Sequence, residues 1–132
     1  MSQVLSSAGI FRLNRGDLPA LEAAAGELGQ AFFVVDLSRA RNVPGFIKAM
    51  QRDLHFPDWF GHNLDALLDC LTDFSWHPAA GYVIVLSESD SLKATPTSLA
   101  ALNEVLSCAV DKWNERGIAF RIFYLQDADA RP

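Results

Sequence analysis

The sequence predicts an α/β fold in which a small, mainly parallel β-sheet is packed with helices. Three observations carry that prediction. Short apolar runs alternate along the chain with amphipathic stretches. The runs at Phe32-Phe33-Val34-Val35 and Tyr82-Val83-Ile84-Val85-Leu86 show little polar alternation, as strands covered on both faces do. The strands are separated by segments of helical length, and strands joined by helices favour parallel pairing with right-handed crossovers. At 132 residues the chain is expected to form one domain and to bury roughly two-thirds of its unfolded surface. Within residues 1–132 the expected divisions are a strand–helix extension at 1–30, a core at 31–125 and a polar, frayed tail at 126–132.

The elements follow in order. Ile10-Phe11-Arg12-Leu13 is a short strand candidate. Asp17 stands where an N-cap is needed, followed by Leu18, Leu21, Ala24, Ala25 and Leu28 at helical spacing, with Gly29 as the stop. After the Phe32–Val35 strand, Asn42 and Pro44 open a second helix whose Phe46, Ile47, Met50 and Leu54 form one apolar stripe. His55 to His62 reads as a loop, with Pro57 and Gly61 as breakers and many aromatics for an exposed segment. Asn63 caps a third helix expected to run to about Ser75. Gly81 to Leu86 is a third strand. Thr95-Pro96 starts a long helix with Leu99, Leu102, Leu106, Val110 and Trp113 inward, and Gly117 ends it before a last strand from Ile118 to Leu125.

Charge narrows the function classes. The net charge is −5, and from Asp53 to Asp90 there is no Lys or Arg. That window holds Asp53, Asp58, Asp65, Asp69, Asp73, Glu88 and Asp90. A cation-free acidic stretch repels phosphates, so direct nucleic-acid binding is disfavoured and a basic protein surface is the better partner. Cys70 and Cys108 form neither a disulfide framework nor a metal-type spacing and read as buried, inert thiols. Met1 to Gly9 lacks a basic segment leading into an apolar one. No apolar run approaches the roughly 20 residues of a membrane span. A cytoplasmic, reduced protein with no membrane association is expected, and no residue pattern points to a cofactor.

The chemistry concentrates in the third helix. On a helical wheel Leu64, Leu67, Leu68, Leu71 and Phe74 share one arc with Cys70 at its margin, and Asp65, Asp69, Thr72 and Asp73 share the other. Asp65 and Asp69 are neighbours at i,i+4, a spacing at which like charges mildly destabilise a helix. Three readings compete: a solvated acidic face, a metal or acid–base site using His62, Asp65 and Asp69, and a recognition face that meets a partner's guanidinium or ammonium groups. The metal reading lacks enclosing ligands. Trp59 and Phe60, just before the helix, suit anchors in the same recognition surface or, alternatively, caps on the core.

Phe56-Pro57-Asp58-Trp59-Phe60-Gly61-His62-Asn63-Leu64-Asp65-Ala66-Leu67-Leu68-Asp69-Cys70-Leu71-Thr72 closely resembles the signature of the barstar-like family. The order of elements around it also fits, so the resemblance spans about Ala31 to Leu125. The fold it implies has three family strands, to which the residues before Ala31 add a fourth.

The function implied by the resemblance is intracellular inhibition of a basic, secreted, barnase-like ribonuclease, such as a toxin whose immunity partner this chain would be. It implies no catalytic activity, no metal and no cofactor. In such inhibitors the helix and the loop before it plug the enzyme's active site, acidic side chains standing where RNA phosphates would lie. By position Asp69 matches the dominant aspartate, Asp65 its acidic neighbour, Trp59 the stacking aromatic, Gly61 and Asn63 the loop glycine and asparagine, and Thr72 a contact threonine. Phe60, His62, Leu68 and Asp73 complete the expected partner-binding set.

Four positions depart from the family pattern. Leu68 replaces a tryptophan, Asp73 a glycine, His62 an acidic residue and Lys112 a contacting glutamate, with Asp111 and Glu115 close to Lys112. These changes motivate an alternative, a barstar-fold interaction module whose partner is not a ribonuclease.

Overall fold

A computed structural model describes residues 9–57, 61, 63–89, 92 and 95–126. In chain order the elements are β1 (Gly9–Asn14), α1 (Leu18–Glu27), β2 (Ala31–Asp36), α2 (Val43–Leu54), α3 (Leu64–Leu71), β3 (Gly81–Ser87), α4 (Pro96–Glu115) and β4 (Ala119–Gln126). The strands form one four-stranded sheet in the order β1-β4-β3-β2. Every pair is parallel, as the helical connections require. The chain is therefore the α/β protein its sequence predicts, with the N-terminal strand added at the edge beside β4.

The register sorts the side chains onto two unequal faces. Phe33, Val35, Tyr82, Ile84, Leu86, Phe120 and Ile122 point into the larger core, where they meet Phe46, Ile47, Met50 and Leu54 of α2, Leu67, Cys70 and Leu71 of α3, and Leu102, Leu106 and Trp113 of α4. Val83, Val85, Phe123, Leu125 and Leu13 point the other way, onto Leu21 and Ala25 of α1. All seven residues of β3 are buried, which explains its unbroken apolar run. β2 departs from expectation. It is an edge strand, and its Val34 remains 42% exposed.

The caps explain where most helices begin. Asn42 Oδ1 accepts the N–H of Gly45 at 2.9 Å, and Thr95 Oγ1 accepts that of Ser98 at 3.1 Å. Gly29 and Gly117 take the left-handed conformation expected of stop residues after α1 and α4, at φ 71° and 72°. Asp17 behaves otherwise. A 3-10 turn at Arg15–Asp17 leads straight into α1, so Asp17 is already helical at φ −91°, ψ −3° and its side chain makes no capping hydrogen bond.

Phe74, only 1% exposed, anchors an aromatic cluster. Its ring stacks on Tyr82 at 4.4 Å and on Trp76 at 5.2 Å between centroids. Phe56, which leads into the loop before α3, meets Trp76 edge-on at 5.7 Å, and the Trp76 indole reaches the Leu54 carbonyl at 3.4 Å. The loop thus leaves the core from a fixed point. Of the two thiols expected to be buried, Cys70 is fully buried and Cys108 only half-buried.

Candidate functional site

The acidic helix α3 is shorter than the sequence suggests, running Leu64–Leu71 rather than to Ser75. Its start is the expected one. Asn63 Oδ1 accepts the N–H of Ala66 at 2.7 Å, while Asn63 Nδ2 donates to the Gly61 carbonyl at 3.4 Å. Both ends of this side chain are occupied within the protein, so Asn63 shapes the loop–helix junction. A helix cap placed beside Asp65 also sets a carboxylate in the first turn, where the helix dipole favours negative charge.

One side of α3 is sealed, because Leu67, Cys70 and Leu71 are fully buried. Leu64 and Leu68 are half-buried, so Leu68 borders the outer face instead of sitting at the centre of the inner one. Asp65, Asp69 and Asp73 are exposed, and none of them forms an ion pair with another described residue. Asp73 Oδ2 accepts from the Ser75 hydroxyl at 3.1 Å. Thr72 Oγ1 donates back to the carbonyls of Leu68 at 2.9 Å and Asp69 at 3.2 Å, closing the helix. Of the expected binding residues, Gly61, Asn63, Asp65, Leu68, Asp69, Thr72 and Asp73 lie along this one strip of loop and helix. Trp59, Phe60 and His62 lie outside the described residues, as do Asp58 and Asp90 of the acidic window.

The charged surroundings hold a feature that the acidic window of sequence did not reveal. Arg116, from the end of α4, donates through Nη1 to the Thr72 carbonyl at 2.6 Å, and its guanidinium lies 4.6 Å over the Trp113 ring. The Trp113 indole in turn donates to the Leu71 carbonyl at 2.6 Å. A cation therefore borders the acidic strip, brought in from 44 residues along the chain. The sequence shows both residues but not this meeting. Asp53, counted in the acidic window, is neutralised locally by Arg52 at 2.7 Å.

Chemically this strip is a surface of fixed, solvent-facing carboxylates suited to meeting cations. Two cavities lie elsewhere. One of about 690 Å³ is lined by Arg12, Phe46, Leu99, Asn103 and Tyr124 among others, and one of about 320 Å³ by β1 residues with Phe123 and Gln126. Neither is lined by Asp65, Asp69 or Asp73. Among the described residues no group of three His, Cys, Asp or Glu is placed to hold a metal ion. Among the same residues no helix is long and apolar enough to cross a membrane.

Sheet order and helix placement define a small α/β protein with an all-parallel sheet. A family model described as Barstar (barnase inhibitor) matches residues 30–125, and the chain belongs to that family. The matched span begins just before β2 and leaves β1 and α1 outside it. None of the curated proteins matches the chain. Among solved structures it is similar to the ORC2 protein of Aeropyrum pernix, determined as ADPNP–ADP complexes, at 18% identity and a TM-score of 0.56. That likeness covers 95% of this chain but 36% of the other, so the chain spans little more than a third of that protein, and the likeness is one of fold.

Proposed function

We propose that this protein is a cytoplasmic inhibitor of a basic, secreted, barnase-type ribonuclease, the immunity partner of such an enzyme where the enzyme is a toxin. One observation carries the reading: in a member of the barstar family, Asp65 and Asp69 stand exposed and without ion-pair partners among the described residues, on the helix that carries the family's signature. The acidic strip enters the ribonuclease's phosphate-binding cleft, where Asp69 meets the cation that otherwise binds RNA. Trp59 stacks at the catalytic centre, and Phe60, Gly61, His62, Asn63, Leu68, Thr72 and Asp73 complete the contact. The protein acts by occlusion and catalyses nothing itself. Residues 1–132 work as a single domain whose first strand and helix extend the sheet.

The test is inhibition of RNA cleavage by barnase, and by ribonuclease-like proteins from the same source, titrated at two salt concentrations. Stoichiometric inhibition that weakens with salt and disappears in Asp69→Ala supports the reading. The loss in Asp69→Ala is expected to be several kcal/mol, since a buried cation of the enzyme is left unpaired. Binding within about 0.5 kcal/mol of wild type would refute this assignment of the surface.

A second reading is favoured by the cation that borders the strip. Arg116 sits where a uniformly basic cleft would repel it, and Lys112 is exposed in the last turn of the same helix. In that case the chain is a barstar-fold interaction module for a partner of mixed charge that is not a ribonuclease. Failure to inhibit any ribonuclease, with retained binding to such a partner, selects it.

A further inference from the structure

We infer that Trp113 and Arg116 are positioning residues for the acidic strip: together they form a clamp that sets the geometry of its C-terminal turn. The inference rests on the proposed binding role of α3 and adds two residues outside its signature. α3 has only eight residues, fewer than an isolated helix needs to persist in water. Its shape therefore depends on what holds its ends. A helix leaves its last carbonyls without intrahelical partners, and here each one from Leu68 onward finds an acceptor role.

The carbonyl of Leu68 accepts the Thr72 N–H at 3.0 Å, and that of Cys70 accepts the Asp73 N–H at 3.1 Å. The carbonyl of Asp69 accepts the Thr72 hydroxyl at 3.2 Å. The last two, of Leu71 and Thr72, are taken by Trp113 and Arg116, each at 2.6 Å. Trp113 is only 5% exposed, and Arg116 lies against its ring, so the two donors fix each other. Asp69, Thr72 and Asp73 ride on the turn whose carbonyls are held. Electrostatics alone argues against a cation at the rim of a surface made for cations. Its hydrogen bond to Thr72, reinforced by the negative end of the helix dipole, accounts for its presence.

The clamp makes a prediction opposite in sign to simple charge. Arg116→Met removes a repelling cation, so association with barnase is expected to hold or quicken. Dissociation is expected to rise by roughly tenfold or more, the effect of losing a hydrogen bond from a charged donor. Trp113→Phe keeps the charge and an aromatic ring, loses the indole donor, and is expected to raise dissociation likewise. Arg116→Lys, which retains a charged donor, restores much of the slow dissociation.

Amide hydrogen exchange on the free protein gives a readout independent of any partner. Thr72 and Asp73 N–H groups lose protection in Arg116→Met and Trp113→Phe, while amides of β3 and β4 keep theirs in Arg116→Met. Unchanged exchange at Thr72 and Asp73 in both variants would overturn the clamp, and so would slower association as the sole binding effect. Failure of the wild-type protein to bind barnase counts against the ribonuclease reading instead, and the exchange result then decides the clamp by itself.

Discussion

Asp53, on α2, accepts the backbone N–H of Asp36 at the end of β2 across 2.8 Å. Its neighbour Arg52 donates to the Asp36 carbonyl at 2.9 Å and to both Asp53 oxygens, at 2.8 and 2.7 Å. Two adjacent helical side chains thus close both backbone groups of a residue on the sheet's outer edge. An edge residue left open in this way would be a template for pairing with another chain.

That closure is titratable. The Arg52 hydrogen bond, followed by the Asp36 N–H, holds the Asp53 carboxyl below its usual range, and the Ser38 N–H does the same for Asp36. Because the folded values lie below the unfolded ones, the stabilisation is complete above about pH 4 and is lost as pH falls through the folded values. Urea midpoints are expected to drop on acidification below that point. Asp53→Asn should be less stable at pH 7 and lose less on acidification, and an unchanged slope would contradict the assignment.

Removing the cap of the acidic helix tests how α3 is started. Asn63→Ala leaves the Ala66 N–H without its acceptor and is expected to cost about 1 kcal/mol in chemical denaturation. Asn63→Asp retains a capping oxygen and should remain close to wild type. Equal losses in both variants would show that the cap contributes little.

The aromatic cluster predicts a larger effect. Phe74 is buried among Phe33, Trp76, Tyr82, Trp113 and Phe120 while its backbone lies at φ 50°. Phe74→Ala is expected to cost about 3–5 kcal/mol, the range for an emptied aromatic site in a core. Phe74→Leu, which refills part of the space, should cost less, and the urea midpoints of the two variants check the order.

The two thiols should separate in reactivity. Burial first, and then the negative charges of Asp73 and Asp69, push the Cys70 thiol up to about 11. The thiolate is the reactive form, so at pH 8 a thiol reagent is expected to modify Cys108 quickly and Cys70 only as fast as the protein opens. A folded value above the unfolded one also means that stability falls as pH rises from about 9 toward 11, since the unfolded thiol ionises first. Equal labelling rates for the two cysteines would sink this prediction.

Much of the architecture was legible because it is specified locally. Asn42, Asn63 and Thr95 announce their helices through side chains that bond three residues ahead, and β3 announces its burial through an unbroken apolar run. Features decided by distant residues were not legible. Phe32–Val35 reads like β3, yet edge position leaves Val34 exposed, and edge or centre is a property of the sheet rather than of the strand. The sequence pattern extends α3 to about Ser75, whereas Trp113 and Arg116 cap its carbonyls and Phe74 turns left-handed to fill the core. The wheel also put Phe74 inward, which is true of its side chain though it is no longer helical. The site's acidic residues were legible through the family signature, but its bordering cation was not, because Arg116 belongs to a different helix.

The pairing of β1 with β4, with Gly9 opposite Arg121 and Asn14 opposite Gln126, bears on how the protein is made. Among the described strands β1 leaves the ribosome first, yet its partner in the sheet is β4, the last of the four to be made. Until β4 emerges, β1 has no strand to pair with, and the pairing must then close across most of the chain, a slow class of contact. The barstar-family core has no such wait, since β2, β3 and β4 join in an order that growing chains can follow from one end.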